Sequence, residues 1–184
     1  MAPFFFLIEQ MSSTTHSLVQ KIDYFLLESK HLVIFLSAVS VLWKRDVEVG
    51  TFISGAFLSA AVSKILKRVI KQERPSKLVK KNFGMPSSHA LTISYFCSFL
   101  LRVVERQNWS PNSKYFVSIC LLVYSVGAIY VRVKHEYHNV KQVGVGIFVG
   151  TILGLFWYWL CFSLGMNGML EERVNPILES LKIK

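Results

Sequence analysis

Acidic residues are scarce in this chain: 11 aspartates and glutamates stand against 21 lysines and arginines, for a formal net charge of +10. No group of carboxylates lies near the polar motifs described below, which argues against a carboxylate-bound divalent cation. The basic residues fall between long apolar runs and not along one soluble face, which excludes a nucleic-acid-binding surface. We therefore expect the positive charge to serve a membrane surface or an anionic substrate.

Cysteine is also rare. The three cysteines lie inside apolar segments, at Cys97, Cys120 and Cys161. No pair has the spacing of metal ligands, so the sequence predicts neither disulfides nor a zinc site. A cleaved signal peptide is not expected either, because the short apolar patch Pro3 to Ile8 has no basic segment before it.

Apolar sequence is abundant: 52% of the residues are hydrophobic and the mean hydropathy is +0.41. This is too apolar for a soluble domain of this size and predicts a membrane protein. Five apolar runs are present: Leu32 to Trp43, Val49 to Leu66, Ala90 to Val104, Tyr115 to Val133 and Val143 to Leu164. A helix that crosses the hydrocarbon core needs about 20 residues, so the last run spans alone and the three before it span with snorkelling flanks.

We therefore predict one all-α domain over residues 1–184, a polytopic transmembrane helix bundle of about five spans. Because the first run is short, four spans with an interfacial first helix are the alternative. Residues 1–30 are expected to form an N-terminal tail or interfacial segment, and residues 165–184 a C-terminal tail. The last run carries glycines at every fourth position that suit close helix packing: Gly146, Gly150 and Gly154.

Three polar clusters lie at the ends of these runs: Lys67 with Arg74-Pro75, Pro86-Ser87-Ser88-His89, and Arg132 with His138. The first cluster follows the second run, the second opens the third run, and the third joins the fourth run to the fifth. If each run crosses the membrane, all three clusters lie on the same face of the bundle. Together they supply cations, hydroxyls and two imidazoles, which bind phosphate oxygens and transfer protons.

The first cluster belongs to a basic stripe. Basic residues recur at three- and four-residue steps: Lys64, Lys67, Lys71 and Arg74. They share one face if the helix continues to Pro75, and such a stripe can hold phosphate oxygens. The alternative is a membrane-edge patch that contacts lipid headgroups.

The second cluster predicts a helix start. Pro86 fits the residue before the helix, and Ser87 or Ser88 fits the N-cap, at a position that favours anions. His89 then lies in the first turn, where it is well placed to protonate a leaving oxygen. The alternative is ordinary capping with a solvated histidine.

The third cluster predicts an oriented imidazole. His138 and Gln142 are four residues apart and share a face if the last helix begins here. The Gln142 carbonyl can accept from one ring nitrogen, which fixes the tautomer and leaves the other nitrogen as a nucleophile. Arg132 is placed to neutralise charge that develops on a phosphoryl group. For this cluster taken alone, histidines that only sit at the interface are the alternative.

Together the clusters resemble the type 2 phosphatidic acid phosphatase superfamily, whose pattern is Lys, six residues, Arg-Pro; then Pro-Ser-Gly-His; then Ser-Arg, five residues, His, three residues, Asp. Lys67 to Pro75 matches in full, and the second motif matches with Ser88 in place of Gly. The third motif keeps its five-residue gap but has Val131 in place of Ser and Gln142 in place of Asp. The combination of Gly-Met-Pro-Ser-Ser-His with a Gln at this last position is similar to the pattern of the dolichyldiphosphatase branch and of plastid-type phosphatidate phosphatases. In these proteins Gln is usual at that position.

The resemblance implies hydrolysis of a phosphoester or phosphoanhydride, without a metal or other cofactor, through a phosphohistidine on His138. It implies that His89 protonates the leaving group, while Gln142 orients His138. The residues implied to bind the phosphoryl oxygens are Lys67, Arg74, Ser87, Ser88 and Arg132.

We therefore expect an integral-membrane lipid phosphatase of the endoplasmic reticulum that removes the terminal phosphate of a polyprenyl diphosphate such as dolichyl diphosphate. Phosphatidate or another lipid monophosphate is the alternative substrate, because the motifs contact the phosphoryl group and not the tail. An inactive lipid-binding scaffold is the alternative of another class. The expected partners are the lipid phosphate and the surrounding membrane lipids, and not nucleic acid.

Overall fold

A computed structural model of the chain describes residues 18–26, 47–74, 83–165, 167–170 and 172. Within these residues, four long helices form the bundle: α1 (Val47–Ile70), α2 (Ser88–Arg106), α3 (Pro111–Lys134) and α4 (Val140–Tyr158). Helix α4 continues into a π-helical turn, Trp159–Ser163. The described residues contain no strand, so the predicted all-α class is confirmed.

Each of the last four apolar runs corresponds to one of these helices. Among the described residues, three helices are long and apolar enough to cross a membrane: Glu48–Ile70, Pro111–Lys134 and Val140–Ser163. The chain is therefore an integral multi-pass membrane protein with a helix-bundle fold, as predicted. The first apolar run, Leu32 to Trp43, lies outside the described residues.

Helix α2 occupies the centre of the bundle. It packs most extensively against α4 and also contacts α1 and α3. Its buried residues extend over most of its length: Ala90, Leu91, Ile93, Ser94, Tyr95, Ser98, Phe99 and Val104. Because neighbouring helices cover it, α2 can carry more polar residues than the helices that face lipid.

The glycines of α4 allow it to approach α2 closely. A Cβ at Gly150 would collide with the main chain of Leu91, and one at Gly154 would collide with the side chain of Ser98. A Cβ at Gly146 would lie 2.8 Å from the Ser87 carbonyl oxygen. The predicted glycine packing face is therefore confirmed, and it brings the N-termini of α2 and α4 together.

Large apolar side chains lie on the outside of α3 and α4. The exposed ones include Phe116, Ile119, Val123, Val126, Phe148, Ile152 and Phe156. Small residues at the helix contacts and large apolar residues outside are typical of helices that face lipid.

Two polar side chains fasten α1 to its neighbours. The Tyr95 hydroxyl donates to the Phe52 carbonyl oxygen, and Trp157 Nε1 donates to the Thr51 carbonyl oxygen, each at 2.8 Å. Gly55 leaves room for both, because a Cβ there would clash with the two aromatic side chains. Within a membrane such donors have to be satisfied inside the protein, so these bonds hold α1 at a defined position against α2 and α4.

Helix α1 ends at Ile70, too early for all the residues of the predicted basic stripe to share one helix face. Lys71 has a φ of 51°, in the left-handed region, and its N–H donates to the Lys67 carbonyl oxygen at 3.1 Å. A left-handed residue closes many helices, so the chain leaves the helix axis before it reaches Arg74. The prediction of one stripe along a continuous helix was therefore wrong. Lys64 and Lys71 are exposed, whereas Lys67 and Arg74 are partly buried.

The predicted N-terminal interfacial segment contains a helical stretch over residues 18–26. Asp23 fastens it to the end of α3, because its carboxylate accepts from Lys134 Nζ at 2.5 Å and lies 3.2 Å from His135 Nε2. This stretch therefore lies at the same end of the bundle as the third polar cluster.

Candidate active site

All three polar clusters meet at one end of the bundle, as the parity of the runs predicts. Helices α1 and α3 end there with basic residues in their last turns, and α2 and α4 begin there. A helix N-terminus carries partial positive charge and unpaired N–H groups. This end of the bundle is therefore suited to bind an anion.

His138 lies in the connection between α3 and α4 and is only 6% exposed. Its Nδ1 donates to Oε1 of Gln142, in the first turn of α4, at 3.1 Å. An amide oxygen can only accept, so Nδ1 carries the proton and Nε2 keeps its lone pair. The predicted pair is thus present in the geometry that leaves Nε2 as a nucleophile.

The side-chain amide of Gln142 is fully buried. Its Nε2 donates to the Glu73 carbonyl oxygen at 2.8 Å and lies 3.4 Å from Gln72 Oε1. Because both acceptors lie on the nitrogen side, the hydrogen-bond pattern itself directs the oxygen toward His138. The main chain of Gln142 also joins the second cluster, since Ser87 N donates to its carbonyl oxygen at 3.0 Å.

The surroundings of His138 favour its neutral form. The pKa of this imidazole falls from 6.5 to about 4, and burial is the largest cause. The hydrogen bond with Gln142 opposes this effect and raises the pKa. The nearby charges of Arg74, Lys67 and Arg132 lower the pKa further. His138 is therefore a neutral imidazole at neutral pH, with a lone pair on Nε2.

Arg74 has a buried donor that a bound anion would satisfy. Its side chain is partly buried, and this burial lowers the pKa of its guanidinium. Its Nε is buried and has no hydrogen-bond partner within the described residues. An unsatisfied buried donor costs about 1–3 kcal/mol. A phosphoryl oxygen bound beside His138 would supply the missing acceptor.

His89 brings the second imidazole to the same place. Nη2 of Arg132 lies 3.3 Å from His89 Nδ1 and 3.4 Å from Nε2. The Arg132 guanidinium also lies over the ring of Tyr137, with Cζ 5.5 Å from the ring centroid. The second and third clusters are therefore in direct contact, although 43 residues separate these two side chains.

The two serines of the second cluster have different environments. Ser87 is the N-cap of α2, and its Oγ accepts from Ala90 N at 3.4 Å. The Ser88 hydroxyl lies 2.7 Å from the hydroxyl of Ser63 on α1. In such a pair one hydroxyl donates to the other, and one proton remains for a further acceptor. Sequence reasoning missed Ser63, because only the crossing of α1 and α2 brings it next to Ser88.

The donors at this end suit phosphate better than a cation. In the part of the chain that the structure describes, no three His, Cys, Asp or Glu side chains are placed to hold a metal ion. The site offers instead three cations, two helix N-termini and a neutral imidazole. Fold and site together define an integral membrane protein with a group of cations and a neutral imidazole at one end of its helix bundle.

The family model described as the PAP2 superfamily matches residues 1–165. The chain therefore belongs to the PAP2 superfamily, in agreement with the resemblance read from its three motifs.

Individual relatives show similarity over most of this chain. It is 33% identical over 144 residues to dolichyldiphosphatase 1 of Dictyostelium discoideum, an alignment that covers 75% of this chain and 59% of the relative. It is 32% identical over 139 residues to the chloroplastic lipid phosphate phosphatase epsilon 1 of Arabidopsis thaliana, which covers 74% of this chain and 49% of the relative. The chain thus spans about half to three fifths of the length of these curated relatives.

A solved structure has the same fold. The transmembrane PAP2 type phosphatidylglycerolphosphate phosphatase from Bacillus subtilis superposes with a TM-score of 0.62 at 20% sequence identity. The match covers 77% of this chain and 73% of the bacterial chain. The bundle described above is therefore an arrangement that another PAP2 protein adopts.

Proposed function

We propose that this chain is a lipid phosphatase of the endoplasmic reticulum membrane that removes the terminal phosphate of a polyprenyl diphosphate such as dolichyl diphosphate. The observation that carries the proposal is the buried His138, whose Nε2 is left unprotonated by the bond from Nδ1 to Gln142. A neutral imidazole in a group of cations at the end of a membrane bundle is suited to attack the phosphorus of a lipid phosphate.

The proposed reaction has two steps. His138 Nε2 attacks the terminal phosphorus, the bond from phosphorus to the bridging oxygen breaks, and His89 protonates the leaving oxygen. Water then attacks the phosphohistidine and loses a proton to His89, which releases inorganic phosphate and restores both imidazoles. The leaving product is the polyprenyl monophosphate.

The proposed phosphate site stabilises the charge that develops on the equatorial oxygens. Its members combine cations with hydroxyl donors: Lys67, Arg74, Arg132, Ser87 and Ser88. Preorganised cations of this kind stabilise the transition state without the reorganisation that water would need. No metal ion is required in this scheme, because the cations occupy the positions at which the phosphoryl charge develops.

The charge balance of the site supports a diphosphate substrate. A neutral amide orients His138, and no aspartate or glutamate is buried in the described part of the chain. Lys67, Arg74 and Arg132 bring three positive charges to the site, and a more negatively charged ligand gains more from them. A diphosphate carries more negative charge than a phosphate monoester, and one relative at 33% identity is named a dolichyldiphosphatase.

Phosphatidate is the second candidate substrate. It is favoured by the chloroplastic lipid phosphate phosphatase, which is similar to this chain at nearly the same identity of 32%. The residues near His138 bind the phosphoryl group in either lipid, so the choice depends on the tail and on the second phosphate.

The test is phosphate release by the purified, detergent-solubilised protein in excess EDTA, with dolichyl diphosphate and phosphatidate compared at equal micellar concentration. We expect release from the diphosphate to be the faster reaction and to be lost in His138→Ala. Faster release from phosphatidate would assign the protein to glycerolipid metabolism instead. Loss of activity in EDTA that magnesium restores would contradict the metal-independent mechanism, and activity on neither lipid would favour the inactive scaffold.

A further inference from the structure

The Gln142 amide is enclosed by two segments. The segment after α1 supplies its acceptors, the Glu73 carbonyl oxygen at 2.8 Å and Gln72 Oε1 at 3.4 Å. The segment before α2 supplies Gly84, where an added Cβ would stand 2.5 Å from Nε2 and 2.8 Å from Oε1 of Gln142. Real Cβ atoms essentially never come that close. The amide therefore occupies the space that a side chain at position 84 would need.

A hydrogen bond joins the segment after α1 to the segment before α2. Gly84 N donates to the Gln72 carbonyl oxygen at 2.6 Å. Gly84 is not among the described residues with a positive φ, so a glycine is needed here for space and not for backbone conformation. This close approach explains why a buried glycine lies just ahead of Pro86 in the second motif.

The orientation of the amide has a chemical consequence. If the amide were turned over, its NH₂ group would face His138 Nδ1. Nδ1 would then have to accept, and the ring proton would move to Nε2, the nitrogen that has to attack phosphorus. In hydrolases that use an oriented histidine, a wrong tautomer lowers kcat by about 10,000-fold.

We infer that Gln72, Glu73 and Gly84 form an amide clasp, a positioning group that holds the Gln142 side chain in one orientation and so sets the tautomer of His138. The inference rests on the proposed role of His138 as nucleophile. It also accounts for the neutral residue at position 142: a carboxylate has only acceptors, whereas an amide has two donors that must be directed away from the imidazole. The clasp supplies the acceptors for those donors.

The sharpest variant is Gly84→Ala, which places a methyl group where the amide lies. We expect kcat on dolichyl diphosphate to fall roughly 10- to 100-fold, because a displaced Gln142 amide no longer positions the His138 imidazole. KM should change little, because the proposed phosphate-binding cations stay in place. Gly144→Ala is the matched control, because a Cβ at this position of α4 meets nothing within 4 Å. Its kcat should equal that of the wild type.

The tautomer provides a readout that does not depend on activity. Imidazole nitrogen NMR of His-labelled protein in micelles should show His138 protonated at Nδ1 in the wild type and in Gly144→Ala. In Gly84→Ala the Nε2-protonated form should appear. If His138 keeps the Nδ1 proton and kcat is unchanged in folded Gly84→Ala, the amide clasp is wrong.

Gln72→Met is a milder variant that keeps the size of the side chain and removes its acceptor. It should lower kcat several-fold without a change in KM, and it tests the clasp even if Gly84→Ala does not fold. An unchanged kcat together with an unchanged tautomer would overturn the role of Gln72. If the wild type hydrolyses no lipid phosphate, the proposed function fails, whereas the NMR comparison still decides whether the clasp sets the tautomer.

Discussion

The two ends of the bundle are held together by different kinds of polar contact. At the site end, hydrogen bonds cross between helices and loops: the Ser63 and Ser88 hydroxyls are 25 residues apart in sequence, and Gln142 and Glu73 are 69 apart. These contacts are partly buried. The position of each polar group at this end therefore depends on the packing of several helices.

At the opposite end, where α2 connects to α3, the hydrogen bonds are exposed and join residues at most nine apart in sequence. Arg102 pairs with Glu105, and the Ser110 hydroxyl lies 2.9 Å from that of Ser113; each pair is three residues apart and exposed. Exposed pairs of this kind contribute about 0–1 kcal/mol. The difference teaches that the site end needs the packing of several helices to place its polar groups, whereas the hydrogen bonds of the other end form within α2, α3 and the connection between them.

The largest effect should come from the site end, with His138→Ala. Removal of the proposed nucleophile should lower kcat/KM at least about 10,000-fold, because no other group can form the phosphohistidine. Circular dichroism and size-exclusion profiles should be unchanged. His135→Ala is the control, since His135 is close in sequence but is exposed and contacts Asp23. Substantial residual activity in folded His138→Ala would exclude the mechanism.

His89→Ala should have the next largest effect. Loss of the proposed proton donor should lower kcat about 100- to 10,000-fold on phosphatidate, whose leaving group is an alkoxide. The loss should be much smaller with nitrophenyl phosphate, whose activated phenolate leaving group needs no proton. An equal loss on both substrates would mean that His89 binds or positions the phosphate and does not act as the acid.

Gln142→Glu should shift the acidic limb of the pH profile to higher pH. The pKa of His138 is about 4 in the native site, so its neutral form, and with it kcat/KM, should persist as the pH falls until it approaches that value. A carboxylate at position 142 would stabilise the imidazolium and raise this pKa. The variant should therefore lose kcat/KM at a higher pH than the wild type.

The measurement for Gln142→Glu is the ratio of kcat/KM between variant and wild type on the same lipid as the pH is lowered, so that titration of the substrate cancels. The ratio should fall toward acidic pH. A ratio that is independent of pH would contradict the proposed orientation of His138 by Gln142.

The smallest effect should come from the far end, with Ser110→Ala. Ser110 is the N-cap of α3, and its Oγ accepts from Ser113 N at 3.3 Å. Loss of such a cap costs about 1 kcal/mol, which a thermal unfolding assay in detergent would register as a slightly lower Tm. We expect kcat/KM to stay at the wild-type value. A large loss of activity would show that the two ends are coupled.

Sequence periodicity was enough to predict features that lie along one helix. The glycine face of α4 follows from its four-residue repeat. The bond between His138 and Gln142 was predicted from their four-residue separation, although α4 begins only at Val140 and His138 lies before it. The meeting of the three clusters followed from the parity of the apolar runs, which needs no knowledge of side-chain contacts.

Contacts between helices could not be predicted in this way. The partner of Ser88 is Ser63, and a principal partner of the Gln142 amide is a main-chain carbonyl of Glu73, which carries no residue-specific signal. The early end of α1 was also missed, because Lys71 adopts a left-handed φ that glycine usually marks. These features depend on how α1 crosses its neighbours, which periodicity does not encode.

The central claim is that His138 carries the phosphoryl group during turnover. The most direct measurement is to quench the purified protein in alkaline denaturant during hydrolysis of terminally labelled dolichyl diphosphate and to locate the label by mass spectrometry. We predict an alkali-stable, acid-labile phosphoryl group on His138, absent from His138→Ala. Label on another residue, or sustained turnover in which no phosphorylated His138 can be trapped, would contradict the account.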